Sequence, residues 1–167
     1  MNQNQSILVV DDERSMREFL DVLLSKEGYR VSDAKNGKQA VKMIQKHNYD
    51  LILSDIRLGD ITGLEVLKEA KKKNADTIVI MISAYSTTEI AVQAMNEGAY
   101  DFVPKPFDNS ELKQTIAKAM ELKTLDQEKA STSSVLQDNI HFNRIIGKSP
   151  GMKAIYTRIS QIGPTKT

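Results

Sequence analysis

The sequence predicts an α/β domain in which a five-stranded, doubly wound parallel sheet has the strand order 2-1-3-4-5. Short apolar segments alternate with amphipathic helical segments through five repeats. The central segments are near-continuous apolar runs, as in parallel strands that helices cover on both faces. Strict alternation also implies right-handed crossovers between neighbouring strands.

The first two repeats are marked by clear boundary residues. A strand is predicted at residues 7–10, and the acidic run at residues 11–13 follows it. Apolar residues then recur at helical spacing as far as Gly28, which suits a left-handed helix end. A second strand is predicted at residues 29–34, followed by an Asn36-Gly37 turn and a helix marked by Ala40, Val41 and Ile44.

The third repeat contains the segment around which the domain is organised. The apolar run at residues 51–53 predicts a buried strand that ends at Asp55. The residue just past such a strand lies where open α/β sheets bind their ligands. A loop with Gly59 and Gly63 leads into a helix marked by Leu64, Val66, Leu67 and Ala70.

The last two repeats complete the sheet. A strand is predicted at residues 77–82, followed by Ser83 and by a capping box formed by Ser86 and Glu89. A short fifth strand is predicted at residues 100–103. Asp108 or Asn109 then caps a final helix marked by Leu112, Ile116, Ala119, Met120 and Leu125.

Composition limits the class of protein. The chain has 167 residues, 40% of them hydrophobic and 27% charged, which is typical of a soluble globular protein. A net charge of +1 disfavours direct binding of nucleic acid. The absence of cysteine, of a membrane-spanning run and of an N-terminal signal pattern leads us to expect a cytoplasmic protein without a membrane partner.

The predicted strand ends bring charged and polar groups together. Strand one contributes Asp11 and Asp12, strand three Asp55, strand four Ser83 and strand five Lys105. Two carboxylates about 4 Å apart repel by about 4 kcal/mol at an effective dielectric constant near 20, so three of them require a cation. A small set of carboxylate oxygens suits Mg²⁺, which takes one or two carboxylates together with phosphate oxygens.

These groups are equipped for phosphoryl transfer. A metal ion and the ammonium of Lys105 would spread the charge of the transferring group while Asp55 attacks it in line. The product would be an aspartyl phosphate.

The pattern resembles the receiver domains of two-component response regulators, which have a flavodoxin-like fold. The resemblance rests on Asp11-Asp12, Asp55, Gly63, Ser83-Ala84 and Lys105-Pro106. It implies that Asp55 accepts a phosphoryl group from a sensor histidine kinase. It also implies that Asp11, Asp12, Asp55 and the backbone carbonyl of Arg57 hold Mg²⁺.

The same resemblance implies a switch. Ser83 and Lys105 would bond the phosphoryl group, and movement of Ser83 would let an aromatic residue, Phe102, turn inward. A plain core role for Phe102 is the alternative. Leu58-Gly59-Asp60 stands where family members usually have a Met-Pro pair, so we expect a somewhat looser loop there.

Two other functions compete with the switch. A Mg²⁺-dependent phosphatase with an aspartate nucleophile usually has a second acid two residues later, whereas this position is Arg57. A phosphorylation-independent interaction module would not need the full acid set. We therefore expect a protein that catalyses only its own phosphorylation and dephosphorylation, and no other enzymatic reaction.

The chain divides into three parts on this reading: a receiver domain at residues 1–122, a helical or flexible linker at 123–144, and a further segment at 145–167. Leu122, Leu125 and Leu136 form a sparse heptad-like pattern, which predicts either a dimerising linker or a frayed helix end.

Residues 145–165 resemble the opening of the ATPase domain of sigma-54-dependent, nitrogen-regulation-type activators. The resemblance implies that the chain is a fragment of such an activator. Contacts with sigma-54 RNA polymerase and DNA would belong to domains absent from this chain.

Overall fold

The computed structural model describes residues 4–130, in which five strands alternate with five helices. The elements are β1 Ser6–Val10, α1 Arg14–Lys26, β2 Arg30–Ala34, α2 Gly37–Lys46, β3 Leu51–Asp55, α3 Gly63–Lys73, β4 Ile78–Ser83, α4 Thr88–Asn96, β5 Asp101–Pro104 and α5 Asn109–Ala130. None of these helices combines the length and apolar character needed to cross a bilayer.

All strand pairs are parallel, and the order is β2-β1-β3-β4-β5, which confirms the predicted doubly wound sheet. Val10 of β1 lies opposite Ser54 of β3, so the residues that follow them emerge side by side. Ser83 of β4 lies opposite Pro104 of β5. This register sets the carboxyl ends of four strands at one edge, and the site is built there.

Two apolar layers bury the two faces of the sheet. One contains side chains from α2, α3 and α4, and the other contains side chains from α1 and α5. Strand β4 is buried along its whole length, because helices cover both of its faces. A fully buried leucine, isoleucine or phenylalanine contributes about 1.5–3 kcal/mol relative to exposure, so these layers hold the strand ends in place.

Side chains cap four of the five helices, α1 being the exception, and two of these caps differ from expectation. Thr87, and not Ser86, caps α4 by accepting a hydrogen bond from the backbone of Ile90, so the Ser86–Glu89 capping box is wrong by one residue. Asn36 is the cap of α2 and does not form a separate turn. Asp108 caps α5, as predicted, by accepting bonds from the backbone nitrogens of residues 110 and 111.

Gly28 has a φ of +91°, which confirms the predicted left-handed end of the first helix. Its amide donates to the carbonyl of Ser25 at 3.0 Å. The chain then reverses into β2.

Helix α5 is continuous from Asn109 to Ala130, so the expected domain boundary at residue 122 falls within it. The rest of the expected linker after residue 130, including Leu136, and the ATPase-like segment at 145–167 lie outside the described residues.

Lys123 of α5 forms an ion pair with Asp50, and its Nζ is 3.0 Å from Oδ1 of Asp50.

Asp50 ties α5 to the amino edge of the sheet. Its carboxylate also accepts the backbone N–H of Ser6 at 2.9 Å. Burial, the largest influence, raises the pKa of Asp50, but the bonds from Ser6 and Lys123 together outweigh it and lower the pKa below its ordinary value. The charged form of Asp50 is therefore favoured by folding.

We expect Asp50→Asn to lower the free energy of unfolding at neutral pH by about 1 kcal/mol, the usual net contribution of such a bond. Because the pKa is lowered in the folded state, this contribution is present above the unfolded value of about 4 and is lost as the pH falls through the folded value. Urea unfolding of the parent and of Asp50→Asn, at neutral pH and at about pH 3, measures the difference in their free energies of unfolding. A difference that stays constant with pH would contradict the assignment.

Candidate metal centre

Three carboxylates converge at the carboxyl edge of the sheet. One oxygen from each of Asp11, Asp12 and Asp55 lies within 4.8 Å of the other two. Asp11 is 3% exposed, Asp12 is exposed, and the side chain of Asp55 is 11% exposed. The sequence predicted this meeting, since β1 and β3 are neighbours and both end here.

Lys105 is the cation that the structure places against these acids. Its Nζ is 2.8 Å from Oδ2 of Asp11 and 2.8 Å from Oδ2 of Asp55. Its backbone nitrogen donates to the carbonyl of Ser83 at 2.9 Å, which fixes the end of β5 beside β4. Burial, the largest influence, would lower the pKa of Lys105, but the two carboxylates outweigh it and raise the pKa above its usual value.

Asp11 is the acid most removed from water. Burial is the largest influence on its pKa and raises it, and the opposing bonds from Lys105 and from the backbone N–H of Glu13 do not cancel that effect. The Glu13 bond, 2.9 Å to Oδ1, fixes the direction of the carboxylate. Asp55 is a second, largely buried carboxylate next to Asp11. A divalent ion would compensate the negative charge of this pair.

The donor set fits Mg²⁺. All three side chains offer hard oxygen ligands, they are few, and Asp12 opens the group to solvent, where an ion keeps several waters. The one ammonium shared by Asp11 and Asp55 leaves this acidic group with a net negative charge. Among the described residues, this is the group of acidic side chains close enough together to hold an ion.

Gly63 explains the tight turn after Asp55. A Cβ at position 63 would lie 2.0 Å from the carbonyl oxygen of Asp55 and 2.9 Å from Cε of Met81. The Gly63 amide donates to the carbonyl of Ile56 at 2.8 Å, and Arg57 pairs with Thr62 in an antiparallel bridge. The loop therefore folds back against the strand end, and only glycine fits where it does so.

The loop at residues 58–60 is held more firmly than expected. Leu58 is only 2% exposed, and Asp60 accepts the backbone N–H groups of Gly37 and Lys38, each at 2.9 Å. The carboxylate thus binds the start of α2, where the unsatisfied amides and the helix dipole favour a negative charge. The expectation of a looser loop did not allow for this contact, which joins residues far apart in the sequence.

Ser83 and Phe102 are both fully buried. The Ser83 hydroxyl accepts the backbone N–H of Tyr85 at 3.1 Å. Phe102 packs in the core layer that also contains Met81 and Met95. Phe102 already lies in the core in this structure, so it could turn inward only from a different conformation. Its observed position is the one expected of a plain core residue, which was the alternative role.

Two side-chain contacts at this edge of the sheet were not predicted from the sequence. The guanidinium of Arg57 lies over the ring of Tyr85, 3.4 Å from its centroid, and so joins the loops after β3 and β4. Arg17 of α1 bonds the carbonyl oxygens of Asp11 and Asp12. Both contacts are set by side-chain direction in the folded chain, which residue spacing alone does not give.

Comparisons with known proteins agree with this architecture. A family model described as "Response regulator receiver domain" matches residues 7–117. The "Transcriptional regulatory protein ZraR" of Klebsiella oxytoca is 36% identical over 159 residues, which cover 95% of this chain and 35% of that protein. The "Response regulator protein PilR" of Pseudomonas aeruginosa is 34% identical over 158 residues, covering 95% of this chain and 34% of that protein. The chain thus spans about a third of these relatives.

A solved structure is similar over nearly its full length. The response regulator protein TrrA from Thermotoga maritima, crystallised in complex with Mg²⁺ and BeF, is 40% identical, with a TM-score of 0.63. The similarity covers 69% of this chain and 98% of that one.

Proposed function

The chain belongs to the response regulator receiver domain family, and from this membership we propose that Asp55 accepts a phosphoryl group from a sensor histidine kinase. The observation that carries the proposal is the convergence of Asp11, Asp12 and Asp55 on one point, with Lys105 bonded to two of them. A receiver domain works as a phosphorylation switch and is not an enzyme in the ordinary sense.

The residues of this chain divide the chemistry among them. A carboxylate oxygen of Asp55 attacks phosphorus and forms a P–O bond while the P–N bond to the kinase histidine breaks and the imidazole keeps the electron pair. Bound Mg²⁺ supplies charge neutralisation for the transferring group. Asp11, Asp12, Asp55 and the backbone carbonyl of Arg57 would hold the ion. Lys105, whose Nζ lies 2.8 Å from Asp55, would bond a phosphoryl oxygen.

The switch begins at Ser83. Its hydroxyl, which accepts the Tyr85 amide in this structure, would turn and donate to a phosphoryl oxygen. This change of hydrogen-bond partner would move the loop between β4 and α4. The movement would then be passed on to β5 and α5. Inverting a 1:99 equilibrium takes about 5.5 kcal/mol, which a few charge-assisted hydrogen bonds can supply. Phe102 takes part only if it leaves the core position described above.

No feature of the site favours the alternatives. The family membership gives no support to the phosphatase reading, and the position that would carry its second acid holds Arg57, stacked on Tyr85. A phosphorylation-independent module would have no use for a buried acid pair with a shared lysine.

At the level of the whole protein, we propose that the receiver at residues 1–122 governs a sigma-54-dependent transcription activator. Relatives similar over nearly all of this chain include a "DNA-binding transcriptional regulator NtrC" from Proteus hauseri. Residues 123–144 would be the linker, and residues 145–167 the start of the ATPase domain. Polymerase and DNA would be bound by further domains, in the cytoplasm.

Dimerisation through α5 is part of this proposal. Leu122 and Leu125 are each 40% exposed and lie three residues apart, on one side of the helix, where a second copy could cover them. We expect the double variant Leu122→Asp, Leu125→Asp to be a monomer by light scattering where the parent is a dimer. Val22→Asp on α1, where valine is 55% exposed, is the matched control and should leave the dimer intact. A dimer that survives the α5 changes would place the interface elsewhere.

Intact-mass measurement after incubation with a small acyl phosphate tests the proposed chemistry. We expect one phosphoryl group per chain in millimolar Mg²⁺ and none when the ion is chelated. Equal labelling in both conditions would contradict the role given to the three acids.

A further inference from the structure

We infer that Arg17 is a positioning residue for the metal site: its guanidinium holds the backbone of Asp11 and Asp12 so that their carboxylates converge with that of Asp55. The inference rests on the proposed function, because it concerns the same ion. It adds a residue of α1 that touches none of the reacting atoms.

The contacts of Arg17 reach three oxygens on two strand ends. Nη1 donates to the carbonyl oxygen of Asp11 at 2.9 Å and to that of Asp12 at 3.3 Å. Nε donates to Oδ2 of Asp33, in β2, at 2.8 Å. The Arg17 side chain is only 13% exposed, and its bond to the Asp11 carbonyl is partly buried, whereas the Asp33 side chain is 56% exposed. One planar group therefore ties the turn after β1 to the neighbouring strand.

Apart from Arg17 and the ion pair between Lys105 and Asp11, two backbone N–H bonds hold this turn. The Asp11 amide donates to the carbonyl of Ala34 at 3.2 Å, and the Glu13 amide donates to Oδ1 of Asp11. Asp12 itself is exposed, and its carbonyl is held in this structure by Arg17. Without that bond, the peptide after Asp12 would be held only through the Glu13 amide, and the Asp12 carboxylate would be directed less firmly at its partners.

The charge of Arg17 acts in the same direction. Asp11, Asp12, Glu13 and Asp33 surround the turn, and the guanidinium is directed at its carbonyls. A lysine would keep the charge, but its single nitrogen would have to lie within reach of all three oxygens, whereas arginine bonds Asp33 through Nε and the two carbonyls through Nη1. Groups that orient metal ligands in this way typically change metal affinity by about 10–100-fold when removed.

We therefore expect Arg17→Lys to raise the dissociation constant for Mg²⁺ by about tenfold, measured by NMR titration of the amides of residues 11–13. Arg14→Lys is the matched control: it is the same change in the same helix, at an arginine that pairs with Glu18 at 2.7 Å on the surface, and the affinity should not change. Urea unfolding in a metal chelator reports folding stability separately.

Arg17→Lys with the parent affinity for Mg²⁺, whatever its stability, would overturn the inference. If Arg17→Lys does not fold, Asp33→Asn serves instead, because it loosens the guanidinium but leaves the carbonyl bonds. We expect a smaller rise in the dissociation constant, and parent affinity in that variant would equally overturn the inference. A parent protein that binds no Mg²⁺ would instead contradict the proposed function itself.

Discussion

Asp55→Asn abolishes Mg²⁺-dependent phosphoryl labelling, on our account. The amide is close in size to the carboxylate but has no negative oxygen with which to attack phosphorus. It also removes one of the three charges that hold the ion. Intact-mass measurement after incubation with a small acyl phosphate gives the result directly.

Asp76→Asn is the matched control for this experiment. Asp76 is exposed and lies just before β4, at the opposite end of that strand from the site, so the same change there should leave labelling at the parent level. Labelling that survives in Asp55→Asn would move the acceptor to another side chain, and Asp12 would be the first to examine.

Gly63→Ala has the second largest expected effect. The new methyl group would lie 2.0 Å from the Asp55 carbonyl oxygen, and backbone atoms cannot turn aside as a flexible side chain can. Overpacking costs typically about 1–3 kcal/mol, and we expect the upper end of that range. A shift of about 1 Å in Asp55 is enough to slow labelling by about 100-fold.

Urea unfolding and the rate of labelling measure the two effects of Gly63→Ala. Ser110→Ala, also in the first turn of a helix but exposed, is the control, and its unfolding free energy should stay within about 0.5 kcal/mol of the parent. Parent-like stability together with parent-like labelling in Gly63→Ala would show that the turn can relax without moving Asp55.

The sequence was sufficient for the sheet and for the acids at its edge. Apolar runs such as residues 51–53 identify buried strands, and alternation with helices leaves few topologies open. Once the order of the strands is known, Asp11 and Asp55 must lie side by side. The positions of these groups follow from the backbone alone.

What the sequence could not give depends on side-chain direction and on choices between similar residues. Ser86 and Thr87 are both residue types that cap helices well, so the sequence alone does not decide which of them begins α4. The loop at residues 58–60 is expected to be looser because it lacks the family's usual Met-Pro pair, and the sequence does not show that Asp60 meets the first amides of α2, which are distant in the chain. The contacts of Arg17 could not be predicted from the sequence either, because its three oxygen partners come from β2 and from the turn after β1.

The most direct test of the central claim is ¹⁹F NMR of the parent protein with beryllofluoride, a stable mimic of a phosphoryl group on a carboxylate. We predict signals from protein-bound beryllofluoride in millimolar Mg²⁺ and their disappearance when the ion is chelated. If only the signal of free beryllofluoride were seen at every concentration of Mg²⁺, the account would be contradicted. Three acids that bind no Mg²⁺ could not make Asp55 able to accept a phosphoryl group.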